Sequence, residues 1–287
     1  MPAASPPPTL LIQADDFGAS SGINRAVIAA YAAGKVQAAS LMANAARAEE
    51  AAALARAHPG LQVGLHINLT AQAGQRCLAR PADVPLLARA DGRLKHGFLG
   101  LFLLSAFRAG ELRRQAETEM RAQLDWVLSR GIRVSHIDSH RHVHMIPPLF
   151  RTARKLQAAY GIGRLRRVNE SLWHTHATAG LGSAWLNGGL VKWAVLRLCG
   201  WAAGAGKWQA GVDSGPPAYF YSILHSTRMH GRVLRRFKPP ARHETVELCF
   251  HPALMDEDGD TAPPDRKAFL LDSPHRRREF DAIMERH

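Results

Sequence analysis

The sequence predicts an α/β fold, an irregular (β/α) barrel of parallel strands whose metal site sits at the carboxyl ends of the strands. Three observations point there. Short apolar runs alternate with stretches of helical spacing, several of those runs end in acidic or imidazole residues, and 46% hydrophobic residues in a chain of 287 can fill one large core. Alternation alone allows either an open sheet or a barrel. The placement of the polar residues favours the barrel, because parallel α/β folds gather their sites at strand carboxyl ends.

Taken in order, residues 1–8 read as a short flexible leader rich in proline, with neither the basic region nor the apolar stretch of a signal peptide, so a cytoplasmic protein is expected. Residues 9–287 then form a single barrel domain. Its strands are expected in TLLIQADD, VQAASLMAN, LQVGLHINLT, VSHIDSH, RLRRVN and VELCFHPALM. Helices are expected at 21–33, 46–57, 110–130 and 149–160, the first capped by Ser20 or Ser21. Residues 181–206 are apolar and carry Trp185, Trp193 and Trp201, with only Lys192 and Arg197 charged. They read as a buried helix and lid inserted in the domain, or as a segment lying in a membrane interface with its cations snorkelling.

The strand ends carry the chemistry. Asp15 and Asp16 close the first run, and adjacent strand residues point opposite ways, so one can bind metal while the other takes a proton from activated water. His66 closes another run and His251 ends ELCFH. In SHIDSHRHVHMIPP, residues His136, Asp138, His140, His142 and His144 alternate with others, so an extended chain would place all five on one face. Such a segment is a metal site or a solvated histidine run. One carboxylate and two imidazoles from three strands leave positions open for water and substrate, as catalytic metals require. His140 is the best second imidazole, and Asp138 is a nearby partner able to orient a ligand. His142 and His144 are candidates to line the pocket, and His136 reads as structural.

Composition excludes some classes. Cys77, Cys199 and Cys249 lack paired spacing, which argues against a disulfide framework or a thiolate zinc knuckle. The formal net charge of +13 attracts phosphates, nucleic acid or anionic headgroups without choosing among them. Basic clusters at Arg164, Arg166 and Arg167, at 232–238, and at 276–278 lack the interleaved aromatics of a single-strand platform, and no nucleic acid partner is expected.

ADDFG, VGLHINLT, HIDSHRHVHMIP and CFHPALMD, in this order and spacing, closely resemble the YdjC-like carbohydrate deacetylases. The likeness runs from about residue 9 to 160 and resumes near 246–256. It implies removal of the acetyl group from an N-acetylated amino sugar by water activated on one divalent ion. By motif position, Asp16, His66 and His140 would hold the metal and Asp15 would be the general base. His251 would be the acid or an oxyanion-side group. The family often has a third histidine where this chain has Arg141. Two imidazoles favour zinc on ligand softness, whereas the family is commonly described with magnesium.

The arginine clusters and the tryptophan-rich segment make a lipid-linked amino sugar attractive, with Trp185, Trp193 and Trp201 meeting an anionic membrane and Lys192 and Arg197 facing headgroups. A free chitooligosaccharide is the other substrate class. A metal-dependent phosphoesterase on a histidine-rich barrel and a basic nucleic-acid-binding protein are the competing readings. Metal stoichiometry separates the first, and salt-dependent duplex binding without hydrolysis would mark the second.

Overall fold

The computed structural model describes residues 7–71, 74–186, 188–207, 211–215, 217–240, 243–254 and 274–286, so most of the expected leader lies outside the described residues. Seven strands form one sheet: β1 (Thr9–Phe17), β2 (Ala38–Leu41), β3 (Gln62–Ile67), β4 (His136–Ser139), β5 (Arg164–Leu165), β6 (Tyr219–Tyr221) and β7 (Thr245–Phe250). Every neighbouring pair is parallel, in the order β5-β4-β3-β2-β1-β7-β6. Joined end to end, that order is sequential. It is a (β/α) barrel in strand order, with its seam open between β5 and β6 among the described residues.

The helices, in chain order, are α1 (Ser21–Ala32), α2 (Ala48–Ala57), α3 (Phe98–Phe107), α4 (Ala109–Leu128), α5 (Pro147–Ala159), α6 (Leu172–Thr178), α7 (Gly182–Leu186), α8 (Gly189–Ala203), α9 (Arg232–Arg236) and α10 (Pro274–Met284). Ser20 caps α1 by accepting from the Ile23 amide at 3.1 Å. Proline at the first turn starts α5, where a missing N–H costs nothing. Five of the described elements, α3, α6, α9, α10 and β6, lie outside the expected strands and helices, and two of them show why. α3, FLGLFLLSAF, is apolar nearly all round and shows no helical stripe; β6, YFY, is too short to show a period.

Apolar residues of the strands and of the inward helix faces form one continuous core. β1 is bulged, its register to β2 shifting between Ala14 and Phe17, and Asp16 sits there at φ 66°. The following Gly18 has φ 101°, and a Cβ at that position would meet the Ala48 backbone at 3.2 Å. The chain turns sharply here, out of β1 and into α1.

The single face expected for His136 to His144 does not form. β4 ends at Ser139, and His140–Met145 makes a 3-10 turn kinked by left-handed Arg141 and His142, at φ 54° and 55°. Ser139 drives the reversal. Its hydroxyl accepts from the His144 amide at 3.0 Å and bonds the His144 ring at 2.6 Å, drawing the chain back over the strand end.

The apolar segment 181–206 enters between β5 and β6 as α7 and α8, and α8 closes on left-handed Gly204. No helix among the described residues is long and apolar enough to cross a membrane. α8 packs on α5 and on the His140–Met145 turn.

In β3, Gly64 lies beneath the buried His136 ring, and a Cβ there would come within 2.2 Å of Nε2. The Gly64→Ala variant is expected to lose about 1–3 kcal/mol of stability, the usual cost of overpacking, read as a lower urea midpoint. An unchanged midpoint would show that the His136 ring yields without cost.

Candidate metal centre

Three expected metal ligands converge. The carboxylate of Asp16 and the rings of His66 and His140 offer ligand atoms that all lie within 4.8 Å of one another. His140 Nδ1 is 2.9 Å and His66 Nε2 is 3.4 Å from Asp16 Oδ1. All three residues are buried. The other oxygen, Asp16 Oδ2, is taken by Arg276 Nη2 at 2.6 Å, so Oδ1 is the one that points between the imidazoles.

Each ligand is held by a neighbour. Asp138 Oδ1 lies 2.7 Å from His66 Nδ1, which turns the His66 Nε2 toward Asp16. Asp138 thus orients His66, across the β3–β4 register, and not the nearer-in-sequence His140. Burial alone would push the His66 imidazole down, but Asp138, with Asp16 and Asp15, raises it to about 10. Burial lowers His140 despite the Asp16 carboxylate beside it. Asp16 would rise on burial, yet Arg276 and His140 hold it well below the usual carboxylate range.

Asp15 points the other way and meets a different partner. Arg166 grips it twice, Nη1 to Oδ2 at 2.6 Å and Nη2 to Oδ1 at 2.7 Å, and the Ser40 hydroxyl donates to Oδ1 at 3.1 Å. Burial would raise Asp15, but the guanidinium holds it well below its ordinary value. The same guanidinium reaches Asp138 at 2.7 Å and Glu247 at 2.7 Å, and lies 5.0 Å from the Phe220 ring. Sequence reasoning counted Arg166 and Arg276 only as members of surface clusters. No spacing signal marks a buried arginine, and only the excess of strand-end carboxylates hints that cations must meet them.

Among the described residues, two other groups of ligand atoms come as close: Asp15 with Cys249 and His251, and Asp15 with His66 and Asp138. Both use Asp15, whose two oxygens already face Arg166, so a cation there would meet a fixed positive charge. The Asp16, His66 and His140 set fits a divalent ion best. It has an oxygen and two imidazole nitrogens, a mixture that suits zinc without excluding magnesium.

His251 follows β7, its backbone amide bound to Glu279 at 2.6 Å, and its ring Nδ1 is buried with no hydrogen-bond partner among the described residues. A ring nitrogen lies within 4.8 Å of an Asp15 oxygen. His144 is fully buried and holds Ser139 through Nδ1 and the Arg166 carbonyl through Nε2, so it supports the turn. His142 packs edge-on against Phe220 at 5.6 Å. His136 is buried, which lowers it to about 3, in keeping with a structural role.

Lys192 and Trp193 turn inward, unlike the outward placement expected for them in a membrane interface. Lys192 Nζ donates to Ser226 at 3.1 Å, and Trp193 Nε1 donates to the Glu170 carbonyl at 2.8 Å. Burial lowers the Lys192 ammonium to about 8. Trp185 and Trp201 are 74% and 81% exposed, so only these two tryptophans of the segment face solvent.

Two predictions follow from this geometry. His66→Ala and His140→Ala should lose the ion, and Asp138→Asn should weaken it about 10–100-fold, as read by metal content and calorimetric titration, with one ion per wild-type chain. Full metal content in folded His66→Ala would remove His66 from the set. Arg166→Leu should cost about 3–5 kcal/mol at pH 7, because buried carboxylates lose their partner. In the wild type, the depressed Asp15 and Asp138 contribute stability above the unfolded carboxylate value that is lost as pH falls through their folded values. In the variant, burial is opposed mainly by the His66 imidazole and raises them, so the deficit should shrink between pH 7 and pH 5 in urea titrations. An equal deficit at both pH values would contradict the pairing.

Residues 9–287 match the YdjC-like protein family. The chain is 37% identical over 153 residues to a carbohydrate deacetylase of Brevibacillus brevis, covering 53% of this chain and 57% of that one. It is 41% identical over 150 residues to a carbohydrate deacetylase of Geobacillus stearothermophilus, covering 52% and 56%. A chitooligosaccharide deacetylase of Serratia marcescens is 39% identical over 155 residues, covering 53% and 57%. The chain thus spans a little over half the length of the curated relatives it matches. An Enterococcus faecalis V583 crystal structure, under a provisional description as a cellobiose-phosphate cleavage protein, superposes with a TM-score of 0.66 at 21% identity, over 98% of this chain and 92% of that one, and shares the fold. With the family match running over nearly the whole chain, this protein belongs to the YdjC-like family.

Proposed function

We propose that this chain is a carbohydrate N-deacetylase, hydrolysing the linear amide of an N-acetylated amino sugar with one divalent ion, zinc or magnesium. The convergence of Asp16, His66 and His140, with Asp15 and His251 at their side, carries the reading. The relatives named carbohydrate or chitooligosaccharide deacetylase support it.

An ion held by Asp16, His66 and His140 would bring the pKa of water toward neutrality and polarise the acetyl carbonyl. Asp15 accepts the proton that the attacking water gives up. Its basicity is low because Arg166 stabilises the carboxylate, so it works only on a water already made acidic, while the same pairing fixes its direction. The His251 ring delivers a proton to the sugar nitrogen as the C–N bond breaks, leaving acetate and a free amine. Imidazole suits that task near neutral pH.

In this reading residues 9–287 act as one barrel unit, and the 181–206 insertion roofs the site. The substrate is lipid-linked, and the roof rests against an anionic bilayer. α3 and α8 both pack on the His140–Met145 turn, and both expose apolar residues: Leu99, Leu103 and Phe107 on α3, Val191, Leu198 and Trp201 on α8. Acetate release across soluble chitooligosaccharides and lipid-linked N-acetylhexosamines tests both parts. Fast turnover of the soluble sugars alone would sink the lipid-linked part and leave deacetylation standing.

Asp15→Asn should keep the ion and lose roughly 100-fold or more in kcat. Loss of the ion together with activity would make Asp15 a ligand instead. His251→Ala should damage turnover more than metal content, and an unaffected rate would remove it from the reaction.

A further inference from the structure

A cleft of about 420 Å³ opens beside the C-terminal half of α8, walled by the chain that follows β5 and by Met145 of the ligand-bearing turn. It lies at the same end of the sheet as the metal centre but shares none of its ligands. Three cations line it: Arg167, Arg197 and Lys207. Arg197 and Lys207 are exposed, and neither side chain has a hydrogen-bond or ion-pair partner among the described residues. Arg167 is 5% exposed; its Nη2 meets Asp213 at 2.8 Å, whereas its buried Nη1 has no hydrogen-bond partner among the described residues. Asp213 is shared with Arg154, at 2.9 Å, so a single carboxylate answers two guanidinium groups and the cleft keeps a positive excess.

The remaining walls suit a tetrahedral anion with an apolar attachment. Gly200, Gly204 and Gly206 line the cleft without side chains, so a ligand can approach the backbone closely. The carbonyls that α8 would turn toward an anion are bound, Gly200 by the Ala205 amide at 2.9 Å and Trp201 by the Gly204 amide at 3.0 Å. Trp201 lines the cleft, and it and Leu198, 81% and 60% exposed, share the outer face of α8 with Arg197. A cationic pocket rimmed by exposed tryptophan and leucine is the pattern of an interfacial contact with anionic headgroups.

We propose that this cleft is a phosphate site that seats the headgroup phosphate of an anionic membrane lipid. It rests on the bilayer contact proposed above and is independent of the deacetylation chemistry. Arginine's planar fork matches phosphate oxygens, and the unspent Nη1 of Arg167 supplies a donor at the inner wall. Arg197 and Lys207 then approach the same phosphate from the solvent side, while Trp201 enters the acyl boundary.

The test uses the full chain and the Arg197→Glu/Lys207→Glu variant, which alters no ion pair seen in the fold. Both are sedimented with phosphatidylglycerol-containing vesicles, with vesicles of equal charge carrying oleate, and with neutral phosphatidylcholine vesicles, and both are titrated with inorganic phosphate and pyrophosphate. The expected result is wild-type binding to phosphatidylglycerol vesicles that exceeds oleate binding and falls at least about tenfold in the variant, with unchanged metal content and unchanged acetate release from a soluble chitooligosaccharide. Equal binding to oleate would leave charge without a phosphate site. Variant binding equal to wild type would place the bilayer contact elsewhere and overturn the cleft alone. Tight binding of inorganic phosphate or pyrophosphate without vesicle binding would make it a soluble-phosphate site, and no vesicle binding at all would overturn the bilayer contact as well.

Discussion

The buried guanidinium of Arg166 is the constraint on which the rest depends. It follows the edge strand β5 and reaches across the interior to Asp15 on β1, Asp138 on β4 and Glu247 on β7, with the Phe220 ring of β6 lying 5.0 Å away. β5 and β6 do not pair among the described residues, so side chains span the open seam: Arg166 through the interior, and Asn169, whose Oδ1 accepts from the Phe220 amide at 2.7 Å, at the edge. A hydrophobic plug could fill the same volume and is often as stable or more so. What a plug could not do is hold Asp15 and Asp138 ionised despite their burial and fix the directions of all three carboxylates.

From Arg166 the order passes outward through single contacts. Fixing Asp138 fixes His66 Nδ1, and the His66 Nε2 then has one direction to face, toward Asp16 Oδ1. Arg276 holds Asp16 from the opposite side through Oδ2. The backbone carries its share of the cost at these places. Asp16, Arg141 and His142 all take positive φ, a conformation uncommon for residues other than glycine, and all three lie in or beside the centre. The β1 bulge lets two adjacent carboxylates serve two separate sets of partners, Asp15 the arginine and Asp16 the imidazoles.

Much of this was legible in the sequence because it follows from where a strand stops. Asp15, Asp16, His66 and His140 stand out as polar residues closing apolar runs, and the structure brings the last three together. The rest was hidden for physical reasons. Alternation predicts a face only while the chain stays extended, and a serine hydroxyl ended β4 before His140, which makes His144 a support of the turn. Arg166 and Arg276 look like surface charge until long-range packing buries them. Lys192 and Trp193 read as membrane-facing from composition, but a 15-residue helix has an inner face too, and Ser226 and the Glu170 carbonyl take them there.

The open seam also accounts for where the unusual surface lies. A closed eight-stranded barrel covers its edges with strands, whereas here the chain between β5 and β6 must cover the gap with α6, α7 and α8. Glu170 anchors that cover. Its carboxylate accepts from the Ile223 amide at 2.7 Å after β6 and its carbonyl accepts from Trp193 on α8, so roof and strand edge are tied through one residue. A roof helix packed inward on the turn that carries His140 has its other face left over, and that face is apolar at Val191, Leu198 and Trp201. The same helix therefore bounds the candidate metal centre on one side and offers the exposed apolar surface on the other, so that a contact made outside the barrel bears directly on the wall of the site within it.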